Sequence, residues 1–323
     1  MRKFGKILLT VTFLQLFLMQ GCNLLMVAVK NVPTFFERPR EVKNKIKDPI
    51  KPDVRLSALW IGHATVLLQM DDKVIITDPF LTETAGEFAR RVVEPGMNVE
   101  DIPACDVILI SHSHFDHLNL ASLEMLEEKS SKTALVFPKD LENYLPDYDM
   151  KLIRMKNDNG YESKLTGETK IVNGVKITTV FAQHWGGRYG LDGYIWGDKA
   201  FTGYIIEYNG MTVYFAGDTG YDPVKFKKLG EMFRIDLALI PIGPCADCKQ
   251  CGTFSHVFPP DAYMIFQDVK ASRMLPIHYG TLHFAQADPM EPLYAFRDII
   301  RSNKAEEMIR ILEIGEQEIY IRK

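Results

Sequence analysis

The chain passes through one succession of elements twice. "LWIGHATVLLQMDDKVIITDP" places two apolar runs on either side of Asp71-Asp72 and ends at Asp78, a pattern that predicts a β-hairpin. "FTGYIIEYNGMTVYFAGDTG" repeats it as strand, Asn209-Gly210 turn, strand and Asp218. Asn-Gly tolerates the positive φ that a tight hairpin turn demands, which makes it the stronger signal of the two. After each aspartate comes a polar segment and then a buried strand opening with Asp, "DVILISH" at Asp106 and "DLALIPIG" at Asp236. Two such copies predict an α/β fold of two pseudo-duplicated halves, with two β-sheets face to face and helices on the outer faces. Helices are expected over Ala121–Lys129, over Ala262–Val269 after Pro259-Pro260-Asp261, and near Pro292–Ser302. The tail "RILEIGEQEIYIR" reads as a closing hairpin. Strand-end loops of both halves then meet along one edge, and a shared site belongs there.

The 323 residues, 46% hydrophobic and 25% charged, suffice for one large domain or two fused halves. Net charge is −4 with no extended basic face, which argues against nucleic acid as a partner. The first thirty residues read differently from the rest. Arg2, Lys3 and Lys6 precede an uncharged run from Ile7 to Val29, the form of an export signal. Gly21-Cys22 in "LFLMQGCNLL" resembles a bacterial lipoprotein cleavage and lipidation site, although Met19 and Gln20 depart from the usual residues. The same run is long enough to span a bilayer as an uncleaved signal anchor. Both leading readings place the folded domain outside the cytoplasm, tethered to a membrane, with a cytosolic protein as the remaining alternative. The expected division is therefore residues 1–29 as signal or anchor, 30–55 as a charged, proline-rich tether, and 56–323 as the domain.

Five cysteines occur. Cys105, beside a strand, is expected to behave as a small buried hydrophobe. Cys245, Cys248 and Cys251 form "CADCKQC", whose spacing suits an iron–sulfur or zinc run but lacks an adjacent fourth ligand. In an exported protein a disulfide or free thiols in a loop is the favoured expectation, with an extra metal as the alternative.

The strand "DVILI" ends in "ISHSHFDHLN", which crowds three histidines and an aspartate into six positions. His112, His114 and Asp116 share parity, so an extended strand end would present them on one side while His117 turns elsewhere. Two ligand sets leaving one loop suit two metal ions. Imidazoles and carboxylates leave positions open for water and substrate, unlike the closed, sulfur-rich set of a structural zinc site. Further candidates follow apolar runs: His184 in "FAQHWGGR", Asp218 in "YFAGDTGY" and His278 in "MLPIHYGT".

His112-Ser-His-Phe-Asp-His117 resembles the hallmark loop of metallo-β-lactamase-fold hydrolases, whose fold is a four-layer αββα sandwich. "WIGHATVLLQ", "TDPF", "QHWGGR", "GDTGY", "LIPIGP", "SHVFPPDA" and "IHYGT" further resemble the N-acylphosphatidylethanolamine-hydrolysing phospholipase D branch, from about Trp60 to His283. The resemblance implies two divalent cations; the donor set suits zinc, with manganese or iron as alternatives. His112, His114 and His184 would hold one; Asp116, His117 and His278 the other; Asp218 would bridge them beside a nucleophilic hydroxide. It implies that Asp78 orients a ligand histidine and that His256 lies near the leaving group, as a candidate acid. His63 and His283 are expected to be structural, bonded to backbone or solvent. Phe115 departs from the branch, which usually carries Tyr there. The expected activity is hydrolysis of a phospholipid phosphodiester at a membrane. A lactone or a soluble phosphate ester is the alternative substrate, and a non-catalytic metal-binding lipoprotein the alternative role.

Overall fold

In a computed structural model, residues 36–86, 89–157, 164–189, 192, 199–245, 247–283 and 287–322 are described. The export segment and Cys22 lie outside them. Among the described residues no helix is long and apolar enough to cross a membrane.

The first half builds a sheet from β1 (Val54–Gly62), β2 (Thr65–Met70), β3 (Lys73–Thr77), β6 (Val107–Leu109), β7 (Ala134–Pro138) and β8 (Lys151–Met155). Between β3 and β6 lies a small hairpin of β4 (Thr84–Ala85) and β5 (Ala89–Arg90). The second half builds its sheet from β9 (Thr166–Val172), β10 (Val175–Val180), β11 (Gly203–Tyr208), β12 (Met211–Phe215), β13 (Leu237–Pro241) and β14 (Arg273–Ile277). A last strand, β15 (Gln317–Arg322), returns to the first sheet, giving the orders β15-β1-β2-β3-β6-β7-β8 and β14-β13-β12-β11-β10-β9.

Both halves follow one plan. Antiparallel pairing runs up to β3 in the first and β12 in the second, and parallel pairing carries on through β6-β7-β8 and β13-β14. The two hairpin turns fall at Asp71-Asp72 and Asn209-Gly210, where Asp71 and Asn209 have positive φ. Because β1, β3 and β6 point the same way, and so do β10, β12 and β14, their C-terminal ends gather on one edge. In sheets of this kind that edge is where ligands bind.

Side-chain alternation separates the layers. Leu56, Ala58 and Trp60 of β1, with Val107 and Leu109 of β6, join the core shared with the second sheet. Leu59, Ile61, Ile108 and Ile110 face the other way, against helix α1 (Leu120–Glu127) through Leu123 and Leu126. Helices α2 (Pro223–Met232), α3 (Pro259–Asp268) and α4 (Glu291–Asn303) bury Phe226, Leu229, Ile265 and Phe296 against the second sheet. Each such apolar side chain contributes about 1.5–3 kcal/mol on burial. The result is the αββα sandwich expected from the doubled pattern.

Local signals explain the helix starts. The Asn119 side chain accepts from Ser122 N at 3.0 Å and caps α1 directly after the histidine-rich loop. Asp222 accepts from Val224 N and Lys225 N ahead of Pro223 at the start of α2, a helix not anticipated above. The expected C-terminal hairpin is not formed. Ile309 bridges Met274 of β14, whereas Gln317–Arg322 pairs with β1, so the tail ties the two sheets together instead of folding on itself. Upstream of β1 the chain runs along the domain. Arg40 exchanges backbone hydrogen bonds with Val92 and Glu94, and Lys45 pairs with Glu94 at 2.9 Å.

Candidate metal centre

Asp78 follows β3, residues 111–118 follow β6, His184 follows β10, Asp218 follows β12 and His278 follows β14. Seven of the eight histidines gather there. His283 stays apart, its Nδ1 3.2 Å from Ala287 O.

The loop after β6 does not stay extended. His117 N and Leu118 N donate back to His114 O at 3.1 and 2.8 Å, forming a turn. This overturns the parity expectation. His112 and His114 join His184 in one cluster, while Asp116 joins His117 and His278 in a second.

In the first cluster His112 Nε2 and His114 Nδ1 are 2.9 Å apart, and His184 Nε2 is 3.3 Å from His114 Nδ1. In the second, His117 Nε2 and His278 Nε2 are 3.2 Å apart. Asp218 Oδ2 lies 3.4 and 3.2 Å from those two nitrogens, and Asp116 Oδ2 lies 3.7 and 3.8 Å from them. Asp218 also groups with His184 and His256, so its carboxylate stands between the clusters.

The surroundings decide which nitrogens carry protons. Asp78 accepts from His117 Nδ1 at 2.6 Å, from Ser111 N at 2.6 Å and from Ser111 Oγ at 2.5 Å. With its proton given to Asp78, Ser111 Oγ accepts from His112 Nδ1 at 2.9 Å. His184 Nδ1 donates to Ser255 O at 2.8 Å. In His112 and His184 the inward Nε2 is left with a bare lone pair, the tautomer that metal-ligating histidines adopt, and His117, its Nδ1 committed to Asp78, would present the same nitrogen to a bound cation. Lone pairs 3 Å apart repel unless a cation lies among them. Asp218 Oδ1, buried and without a hydrogen-bond partner, points to the same need. The donor set therefore fits divalent cations, in two clusters joined by one carboxylate.

Charge coupling within the donor set is strong. Burial, then neighbouring imidazoles, hold His112 and His184 well below the ordinary imidazole range; burial brings His114 to about 4. Burial also opposes a charge on His117, yet Asp218, Asp116 and Asp78 outweigh it and hold its pKa well above normal. Burial alone would raise Asp116 and Asp218. Facing imidazoles, His117 and His63 for the first and His278 and His117 for the second, keep both well below the carboxylate range.

Two features differ from the sequence-based expectations or extend them. His63 is not bonded to backbone or solvent through its ring: Nε2 lies 2.8 Å from Asp116 Oδ2, at the second cluster. Its place on this edge follows from the pairing of β1 with β2 and of β2 with β3, which no local pattern in the sequence shows. Arg188 of "QHWGGR" clamps the loop, donating to Ser113 O and Leu118 O at 2.9 and 2.8 Å, with its guanidinium 4.0 Å from the Phe115 ring centre. His256 stands beside the clusters, Nδ1 3.4 Å from Asp218 Oδ2 and its side chain about one quarter exposed, at 26%. In "CADCKQC", Cys245 and Cys248 form a disulfide and Cys251 is an exposed free thiol. The segment leads straight to Ser255, whose carbonyl orients His184. Cys105 is buried, in the first sheet's outer core.

Asp78 accepts from three donors, and an amide could present only one accepting oxygen to them. Asp78→Asn is expected to weaken metal affinity by about 10–100-fold and to cost about 1–3 kcal/mol of stability. Chelator-competition titration and denaturant unfolding measure the two effects.

Comparison with known proteins agrees with this geometry. Residues 73–279 match the family model described as beta-lactamase superfamily domain. Over 249 residues the chain is 31% identical to "N-acyl-phosphatidylethanolamine-hydrolyzing phospholipase D 1" of Caenorhabditis elegans, covering 74% of this chain and 68% of that one. It is 31% identical over 260 residues to a "UPF0173 metal-dependent hydrolase" of Thermococcus onnurineus, covering 80% of this chain and 96% of the relative. Among solved structures, a possible metal-dependent hydrolase from Veillonella parvula superposes with a TM-score of 0.63 at 15% identity, covering 83% of this chain and all (100%) of that one. With the doubled sheets, the converging imidazoles and these matches together, the chain belongs to the beta-lactamase superfamily and is a metal-dependent hydrolase of the metallo-β-lactamase fold.

Proposed function

We propose that the protein is a dinuclear hydrolase acting on a phosphodiester of the phospholipid class. The observation that carries this reading is the pair of donor clusters joined by Asp218, a carboxylate placed to be shared. His112, His114 and His184 would hold one cation, and Asp116, His117 and His278 the other. Zinc suits this donor set. Bound there, the cations would supply Lewis acidity and a water acidic enough to attack at neutral pH.

The chain's own residues do the rest. Asp78, Ser111 and the Ser255 carbonyl hold three imidazoles in the ligating tautomer. His256, beside Asp218 and partly open to solvent, is assigned the proton that the departing alkoxide takes up. Trp185, Tyr189 and Phe254 leave much of their surface exposed, 45%, 64% and 72%, and the Trp185 ring lies 4.4 Å from that of His114. Such a rim suits a substrate with an apolar limb next to the scissile ester. The printed name of the worm relative supports the same class. A membrane tether through residues 1–29 would add to it, by holding the site among phospholipid head groups.

Phe115 favours a second reading. It stands where the phospholipase branch usually carries Tyr, so a lactone or a soluble phosphate ester is the competing substrate.

The test is turnover by the zinc-loaded protein of N-acylphosphatidylethanolamine vesicles, bis(p-nitrophenyl) phosphate and an acyl lactone. Release of phosphatidic acid from the vesicles is expected. Hydrolysis of the lactone alone would overturn the phosphodiester assignment. His256→Ala should slow the lipid by about 10²–10⁴-fold and the p-nitrophenyl ester far less, because p-nitrophenolate leaves without a proton.

A further inference from the structure

His63 lies at the turn from β1 to β2 with φ of +56° and 3% of its surface exposed. A non-glycine residue holds this conformation only when its surroundings fix it. Here the backbone is tied on three sides. His63 N donates to Thr281 Oγ1 at 2.8 Å, and its carbonyl accepts from Trp60 Nε1 at 2.9 Å and from His278 N at 3.0 Å. The ring centre lies 3.9 Å from that of His278, and Nε2 lies 2.8 Å from Asp116 Oδ2. That oxygen is also the one facing His117 Nε2 and His278 Nε2.

We propose that His63 is a positioning residue for the second cation site, donating Nε2–H to Asp116 Oδ2 so that the carboxylate's remaining lone pairs face His117 and His278. The inference rests on the dinuclear reading above. A bare Nε2 at 2.8 Å from a carboxylate oxygen would be repelled by it, whereas an N–H there holds the side chain in one rotamer and favours its charged form. The arrangement is the counterpart of Asp78 and His117. At one position a carboxylate fixes a ligating imidazole; at the other an imidazole fixes a ligating carboxylate. Through its carbonyl, His63 also sets the backbone of His278, so one turn braces two donors of the same cluster.

The test compares His63→Phe, which keeps a ring and loses the donor, with His63→Gln, whose amide nitrogen reaches about as far as Nε2. Zinc binding is followed by chelator competition. Wild type is expected to bind two ions. His63→Phe should weaken one of the two sites by about 10–100-fold and leave the other unchanged, and His63→Gln should recover to within about threefold of wild type. A folded His63→Phe that binds both ions as wild type does, or a His63→Gln no better than Phe, overturns the proposal. Wild-type protein that binds no more than one ion overturns the dinuclear reading instead. Should the Phe variant not fold, ¹⁵N-histidine spectra of the zinc-loaded wild type decide, with the His63 signals assigned by their absence in His63→Gln. A protonated Nε2 is expected. An unprotonated Nε2 would make His63 a direct ligand and overturn the positioning role.

Discussion

Asp218→Ala is expected to lower kcat/KM by about 10⁴-fold or more, with the fold retained. The Asp218 carboxylate reaches donors of both clusters. Its Oδ2 lies within 3.4 Å of both His117 Nε2 and His278 Nε2, and the carboxylate groups with His184 of the other cluster. Removing it takes one donor from each proposed cation and removes a negative charge that the clustered imidazoles face. Asp218→Asn keeps the shape but halves the accepting capacity, so it should fall between wild type and Ala. Turnover of bis(p-nitrophenyl) phosphate, zinc content and circular dichroism together measure the effect. A folded Asp218→Ala with activity within tenfold of wild type would remove Asp218 from the shared position.

The second large effect is on stability. Binding of cations to the folded state alone adds RT ln(1 + [L]/Kd), about 4 kcal/mol per site at a thousandfold excess over Kd. For a domain of this size each kcal/mol moves Tm by about 2–4 °C. Chelation should therefore lower Tm by roughly 10 °C or more, and zinc should restore it.

The chelated protein should also become acid-labile in a defined window. Burial first, then neighbouring imidazoles, hold His112 and His184 well below 6.5, and burial lowers His63 to about 3 and His114 to about 4. The unfolded chain takes up these protons near pH 6.5 and the folded chain does not, so stability falls as pH drops from about 7 toward 4. The depressed Asp116 and Asp218 add to this at lower pH: their stabilisation is present above the unfolded carboxylate range and is lost as pH falls through their folded values. Burial lowers His256 as well; His117 acts in the opposite sense, since its raised pKa favours the folded state below 6.5, but it is one group against five. Urea unfolding of chelated protein at pH 7 and pH 5 measures the slope. Equal stability at both would mean that the imidazoles are not held neutral.

Much of this centre is legible in the sequence because its donors sit directly after apolar runs. Asp78, His112, His184, Asp218 and His278 can be placed at strand ends without knowing which strands pair. Three features depend on more than local pattern. The path of the loop after His112 is set by the bonds of His117 N and Leu118 N to His114 O, which break the strand parity and send Asp116 to the other cluster. His63 reaches the site only because two antiparallel steps turn β1 to the direction of β3, a fact of pairing rather than of sequence period. The tail carries a strand signal in both of its halves, yet nothing local says that Ile309 joins one sheet and Gln317–Arg322 the other. Helix α2 starts at Asp222-Pro223, a cap followed by a first-turn proline that the sequence-based expectations passed over.

Two cations, held through seven side chains, are predicted for this chain. Metal analysis of purified, gel-filtered protein tests this directly. About two equivalents of a divalent metal per chain are predicted for wild type, falling to about one or fewer in Asp218→Ala. A wild-type protein that retains no more than one equivalent after saturation with zinc would rule out a two-cation centre.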